Sequence, residues 1–158
     1  MENKYYTPEI SEFYVGFEYQ GMERTLNRAN IAKGWIENTY NAGYSLERLQ
    51  ETITKEDIRV KYLDKEDIES LGWKCVPDDS VGDGNFRWFD EFTLGQYRLT
   101  TMYHLEDENW QKESDKVMIC DMPTRKNEVI DRMFNGKIKN KSALKVLMNQ
   151  LGITSLVL

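Results

Sequence analysis

Residues 58–73, IRVKYLDKEDIESLGW, decide how the rest of the chain is read. Ile58, Val60 and Tyr62 alternate with Arg59, Lys61 and Leu63, and that period of two predicts a half-buried strand. Asp64 stops it. An aspartate there is a good helix N-cap, and Asp67, three positions on, can reach back in a capping box. Ile68 and Leu71 then share one face of a short helix. Gly72 supplies the left-handed residue that ends it, and Trp73 is expected to turn back onto the core. The acids Asp64, Glu66, Asp67 and Glu69 suggest a metal or catalytic cluster at first sight. They read better as a solvated first turn favoured by the helix dipole.

Working outward, the C-terminal side gives the clearest helix. Asn140 is the expected N-cap, and Leu144, Leu147, Met148 and Leu151 form one apolar stripe. Gly152 ends it in the Schellman manner, with Ile153 returning to touch Met148. Between these two helices, residues 86–138 read as an antiparallel meander. Its strands are expected from Phe86, from Tyr97 after Gly95, from Val117, and over residues 129–138, with a bulge or tight turn at Asn135-Gly136. Residues 77–85, PDDSVGDGN, and 123–127 are rich in breakers and read as loops, and the charged residues 106–116 as an exposed turn or hairpin tip.

On the N-terminal side, residues 13–20 alternate Phe13, Val15, Phe17 and Tyr19 with polar or small positions, which predicts a strand with an aromatic face turned by Gly21. Residues 22–34 carry no clear pattern. Residues 35–40 form a candidate strand, closed by Asn41-Ala42-Gly43. Ser45 then caps a short helix, with Leu46, Leu49 and Ile53 on its inner face. The expectation is a single α+β domain over residues 1–158. An antiparallel sheet of about five or six strands packs against the C-terminal helix and the short capped helix, and residues 20–56 are a candidate subordinate arm.

Composition narrows the function classes. The 158 residues carry a net charge of −6, a poor match for general phosphate neutralisation, so nucleic-acid binding is disfavoured. Lys137, Lys139, Lys141 and Lys145 leave one local basic edge. No apolar run approaches twenty residues and the N-terminus lacks an apolar signal region, so a soluble cytoplasmic protein with no membrane contact is expected. Cys75 and Cys120 are expected as free thiols, with a single long-range disulfide as the alternative. With one histidine they cannot build a standard zinc site, and no cofactor is expected.

Three blocks resemble one group of sequences. Residues 5–10 with Glu12-Phe13 and residues 15–19, the stretch 58–73, and residues 135–142 with Leu144, Leu147, Leu151, Gly152 and Ile153 are similar to small proteins of Bacteroidetes bacteria and their phages. Residues 20–56 and 77–127 carry little of the likeness. The resemblance implies a small phage or prophage protein of the infected cell's cytoplasm. It carries over no catalytic residue.

No GxSxG, HExxH or P-loop pattern occurs, and His104, the only histidine, stands without a nucleophile motif, so an enzyme is not expected. Residues 79–90 have a faint calcium-loop look, spoiled by Val81 at a ligand position and by Asp90 in place of a bidentate glutamate. The binding candidates are aromatic and cationic. Arg87, Trp88 and Phe89 lie in a stretch with rings on both faces, which suggests a surface for a host or phage protein. Trp35, Tyr40 and Arg98 would suit a pocket that stacks a base and pairs a phosphate, as in a nucleotide-signal binder acting against host immunity. A virion component and a homo-oligomer remain open alternatives.

Overall fold

A computed structural model describes residues 4–27, 30–43, 45–77, 89–106, 109–122 and 130–154, with backbone alone at residues 24–27, 30–33, 89, 102–106 and 109–115. The fold is α+β, with one antiparallel sheet of four strands and another of five, where the sequence pattern suggested one. The chain divides into two compact units, Met1–Tyr62 and Leu63–Leu158. The division falls inside the stretch 58–73.

In the first unit, β1 (Tyr5–Tyr6), β2 (Glu18–Asn27), β3 (Asn30–Thr39) and β4 (Ile58–Lys61) form a sheet in the order β1-β4-β2-β3, and α1 (Leu46–Thr54) connects β3 to β4. The unassigned residues 22–34 turn out to be most of a long hairpin, paired from Glu18 with Thr39 to Asn27 with Asn30. Two expectations fail here. Residues 13–17 are not a strand, because a 3₁₀ turn at Ile10–Glu12 runs into a tight turn with Gly16 at φ 95°. That bend folds the rings inward. Phe13 lies 4.8 Å from Phe17, 5.5 Å from Tyr19 and 5.6 Å from Tyr40 between ring centroids. Gly21 is not a turn either. It sits mid-strand, opposite Ile36 on one side and Ile58 on the other.

Phe17, Tyr40, Leu49, Ile58 and Val60 form this unit's core, with Tyr6, Phe13 and Tyr19 packed against it. Leu46 leaves the expected inner stripe of α1 and is exposed, while Leu49 is buried and Ile53 half-buried. Helix α1 starts at Ser45, whose side chain accepts from the Arg48 amide. It ends in a Schellman closure, the Asp57 amide donating to the Thr52 carbonyl at 3.1 Å, with Glu56 at φ 55° in the place glycine usually takes.

The second unit follows the sequence closely. Here α2 (Lys65–Ser70) has the expected capping box between Asp64 and Asp67, and Gly72 follows at φ 93°. β5 (Lys74–Cys75), β6 (Phe89–Leu94), β7 (Tyr97–Glu106), β8 (Asn109–Asp121) and β9 (Asp131–Lys137) lie in chain order in one meander. Gly95, at φ 59°, opens the two-residue turn between β6 and β7. The charged residues expected as a hairpin tip are largely strand, since β7 and β8 pair out to Glu106 with Asn109.

The expected irregularity in β9 is displaced. Gly136 pairs regularly with Val117, and the register shifts instead between Ile119 and Cys120, past Met133. A Cβ at Gly136 would stand 2.8 Å from the end of the Phe134 ring, so that ring would have to shift to admit a side chain there. Finally, α3 (Lys141–Gln150) is capped by Asn140, whose side chain accepts from the Ala143 amide at 2.8 Å. It closes with the Ile153 amide on the Met148 carbonyl and the Gly152 amide on that of Asn149. Leu144, Leu147 and Met148 of α3 and Ile68 of α2 meet Phe92, Leu99, Val117 and Ile119 of the sheet, and Trp73 fills the centre. Its indole Nε1 donates to the Met148 sulfur at 3.3 Å.

Candidate functional site

The alternation of β4 builds one side of the candidate site. Ile58 and Val60 point into the first core, so Arg59 and Lys61 must point to the opposite, outer face. Register carries that face across the sheet. Tyr5 pairs with Lys61, Gln20 with both Arg59 and Glu37, and Met22 with Trp35. The Arg59 guanidinium carbon lies 3.9 Å from the centroid of the Tyr5 ring and 4.1 Å from that of Trp35. Its Nε donates to Gln20 Oε1 at 2.7 Å, and Gln20 Nε2 donates to Glu37 Oε1 at 2.5 Å. Tyr5, Arg59 and Trp35 are all half-buried. Three strands thus hold one cation between two rings in a fixed geometry. Each ring contact of this kind contributes about 0.5–1 kcal/mol near a surface.

The inner face has a second feature. Beyond the aromatic core, α1 and the start of β4 leave a cleft of about 350 Å³ over β2 and β3. Gly21 and Ile36 lie on its floor, and Asn38, Arg48, Thr52 and Asp57 are on its walls. Gly21 opens the floor, since a Cβ at that position would meet Asn38 Nδ2 at 3.0 Å. The Asn38 amide folds back to donate to the Ile36 carbonyl at 3.1 Å. Ile36 itself is 42% exposed, which is unusual for an isoleucine on an inner sheet face.

The residues singled out from sequence distribute as follows. Trp35 is part of the outer-face stack, and Tyr40 lies in the first core with its ring edge-on to Phe13. Arg98 belongs to the second unit, on β7. Its Nε is 3.3 Å from Glu91 Oε1, an ion-pair distance without the alignment of a hydrogen bond. Arg87 and Trp88, with most of the calcium-like loop, lie outside the described residues, as do the side chains of Phe89 and His104.

Sequence reasoning missed Arg59, Tyr5, Gln20 and the whole cleft. The signal for Arg59 was present in the alternation of residues 58–63, but its ring partners depend on strand order. Another pairing was also missed. Neighbouring Cys75, then the Glu69 carboxylate, holds the Lys65 ammonium above its ordinary pKa. Cys75 and Cys120 are both free. Among the described residues no group of three or more His, Cys, Asp or Glu side chains is placed to hold a metal ion, and no helix is long and apolar enough to cross a membrane.

No family model matches this chain, and neither the curated proteins nor the solved structures include a match to it.

Proposed function

We propose that the protein is a non-catalytic accessory protein of the host cytoplasm that binds another protein, of host or viral origin, through the outer face of its first sheet. The observation that carries this reading is the Tyr5–Arg59–Trp35 stack. Tyrosine, tryptophan and arginine are the residues that dominate binding energy at protein interfaces. Such residues cost most when they must be immobilised on binding, typically about 0.5–1.5 kcal/mol for each rotamer-rich side chain. Here the guanidinium is held beforehand, since Arg59 Nε donates to Gln20 and Gln20 donates to Glu37. Half-exposed rings on a sheet face that also carries Lys61 and Glu37 offer an apolar centre with a polar surround, the usual anatomy of a specific interface.

Capture from host lysate, followed by reconstitution with the purified partner, tests it. Trp35→Ala and Arg59→Ala are each expected to weaken the reconstituted complex by at least about tenfold, the scale of a hot-spot residue. Circular dichroism should show both variants folded. A partner whose affinity is the same for wild type and both variants would remove the outer face from the account.

A further inference from the structure

We infer that the cleft between α1 and the inner face of β2–β3 binds a small aliphatic zwitterion, a free amino acid being the matching class. The inference stands on a different face of the sheet from the proposed interface and does not depend on it. Volume sets the scale. About 350 Å³ is at the lower end of small-molecule sites and ample for one amino acid.

Charge sets the class. The lining carries a cation, Arg48, and two acids, Glu23 and Asp57. A ligand with a single charge would meet a like charge in the same cleft, and an uncharged apolar ligand would gain nothing from any of the three. A zwitterion presents a carboxylate to Arg48 and an ammonium to the acids, both as charge-assisted hydrogen bonds. Arg48 and Asp57 already have contacts within the protein. A guanidinium with five N–H donors and a carboxylate with two oxygens each have capacity for a further partner. Asn38 adds an acceptor, because its Nδ2 is committed to the Ile36 carbonyl and its Oδ1 is the remaining polar atom of the amide.

The floor explains the aliphatic part. Ile36 is left 42% exposed between polar walls, with Leu49 and Ile58 beside it. Glycine at position 21 keeps the space above them open.

Backbone amide NMR of the full chain, titrated with leucine, N-acetyl-leucine and leucinamide, tests this. Leucine is expected to shift the amides of Gly21, Asn38 and Thr52 saturably. The two analogues, each lacking one charge, are expected to bind at least about tenfold more weakly, the loss of one charge-assisted hydrogen bond. Glu23→Gln, an exposed substitution, should weaken leucine binding while leaving the spectrum otherwise unchanged, and Gly21→Val should abolish it. The inference is overturned if leucine, isoleucine and valine all leave these amides unmoved. It is equally overturned if leucinamide binds as well as leucine, which would make the cleft a cation site.

Discussion

The two units close their cores in opposite ways. The second draws on a five-stranded sheet and two helices, and twelve of its described residues are buried in one cluster around Trp73. The first has five such residues, two of them aromatic, and relies on half-buried rings from the bend at Gly16 to complete the packing. A small core covers less of its own sheet. The first unit accordingly has an open cleft on the inner face and a ring–cation stack on the outer one. Among the described residues, the second unit gathers most of its large apolar side chains into one cluster, whereas the first holds a ring–cation stack and a charged cleft at its surface.

The largest effects should come from removing the centre of either core. Trp73→Ala and Phe17→Ala are each expected to destabilise by about 3–5 kcal/mol, the usual cost of deleting a buried ring. Hydrogen exchange resolves where the loss falls. If each core stands on its own contacts, Phe17→Ala lowers protection in residues 4–62 and leaves residues 63–154 as they were, and Trp73→Ala does the reverse. An equal loss in both units from either variant would break the comparison.

Helix ends give a finer contrast. The Asn140 side chain satisfies the Ala143 amide at the start of α3, and Asn140→Ala is expected to cost about 1 kcal/mol in urea denaturation. The smallest effect is expected at the other end of a helix. α1 and α3 finish in the same Schellman geometry, α3 with Gly152 at φ 71° and α1 with Glu56 at φ 55°. A side chain in that region costs about 1 kcal/mol or more, partly offset by the entropy glycine loses on folding. Glu56→Gly should therefore stabilise the first unit by about 0.5–1 kcal/mol, read as a rise in melting temperature. A fall would mean that the Glu56 side chain contributes something its backbone geometry does not reveal.

The same contrast explains what the sequence could and could not disclose. In the second unit the signals are local. Asp64 with Asp67, Asn140 with Ala143, and the glycines at 72, 95 and 152 act within a few residues of themselves, so spacing alone finds them. In the first unit the decisive contacts are distant. Residues 13–20 alternate like a strand, yet the ring cluster formed with Tyr40 wins over that local preference. Residues 22–34 carry no clear hydrophobic alternation, and the sequence between Asn27 and Asn30 lacks the Asn-Gly that signals a tight hairpin. Gly21 looked like a turn because nothing in the sequence says that strands will flank it on both sides. For the site, Trp35 was visible as a candidate. Its partner Arg59 lies 24 residues away, two strands across, and only sheet order brings the two together.

We propose that the partner protein sits on the outer face of the first sheet. Hydroxyl-radical footprinting of the reconstituted complex tests it most directly, because tyrosine and tryptophan rings are the groups that oxidation reads well. The expected result is that partner binding lowers oxidation of Tyr5 and Trp35, with Tyr40, buried in the core, low in both states. Unchanged oxidation of Tyr5 and Trp35 in a saturated complex, with protection confined to residues 63–158, would contradict the account.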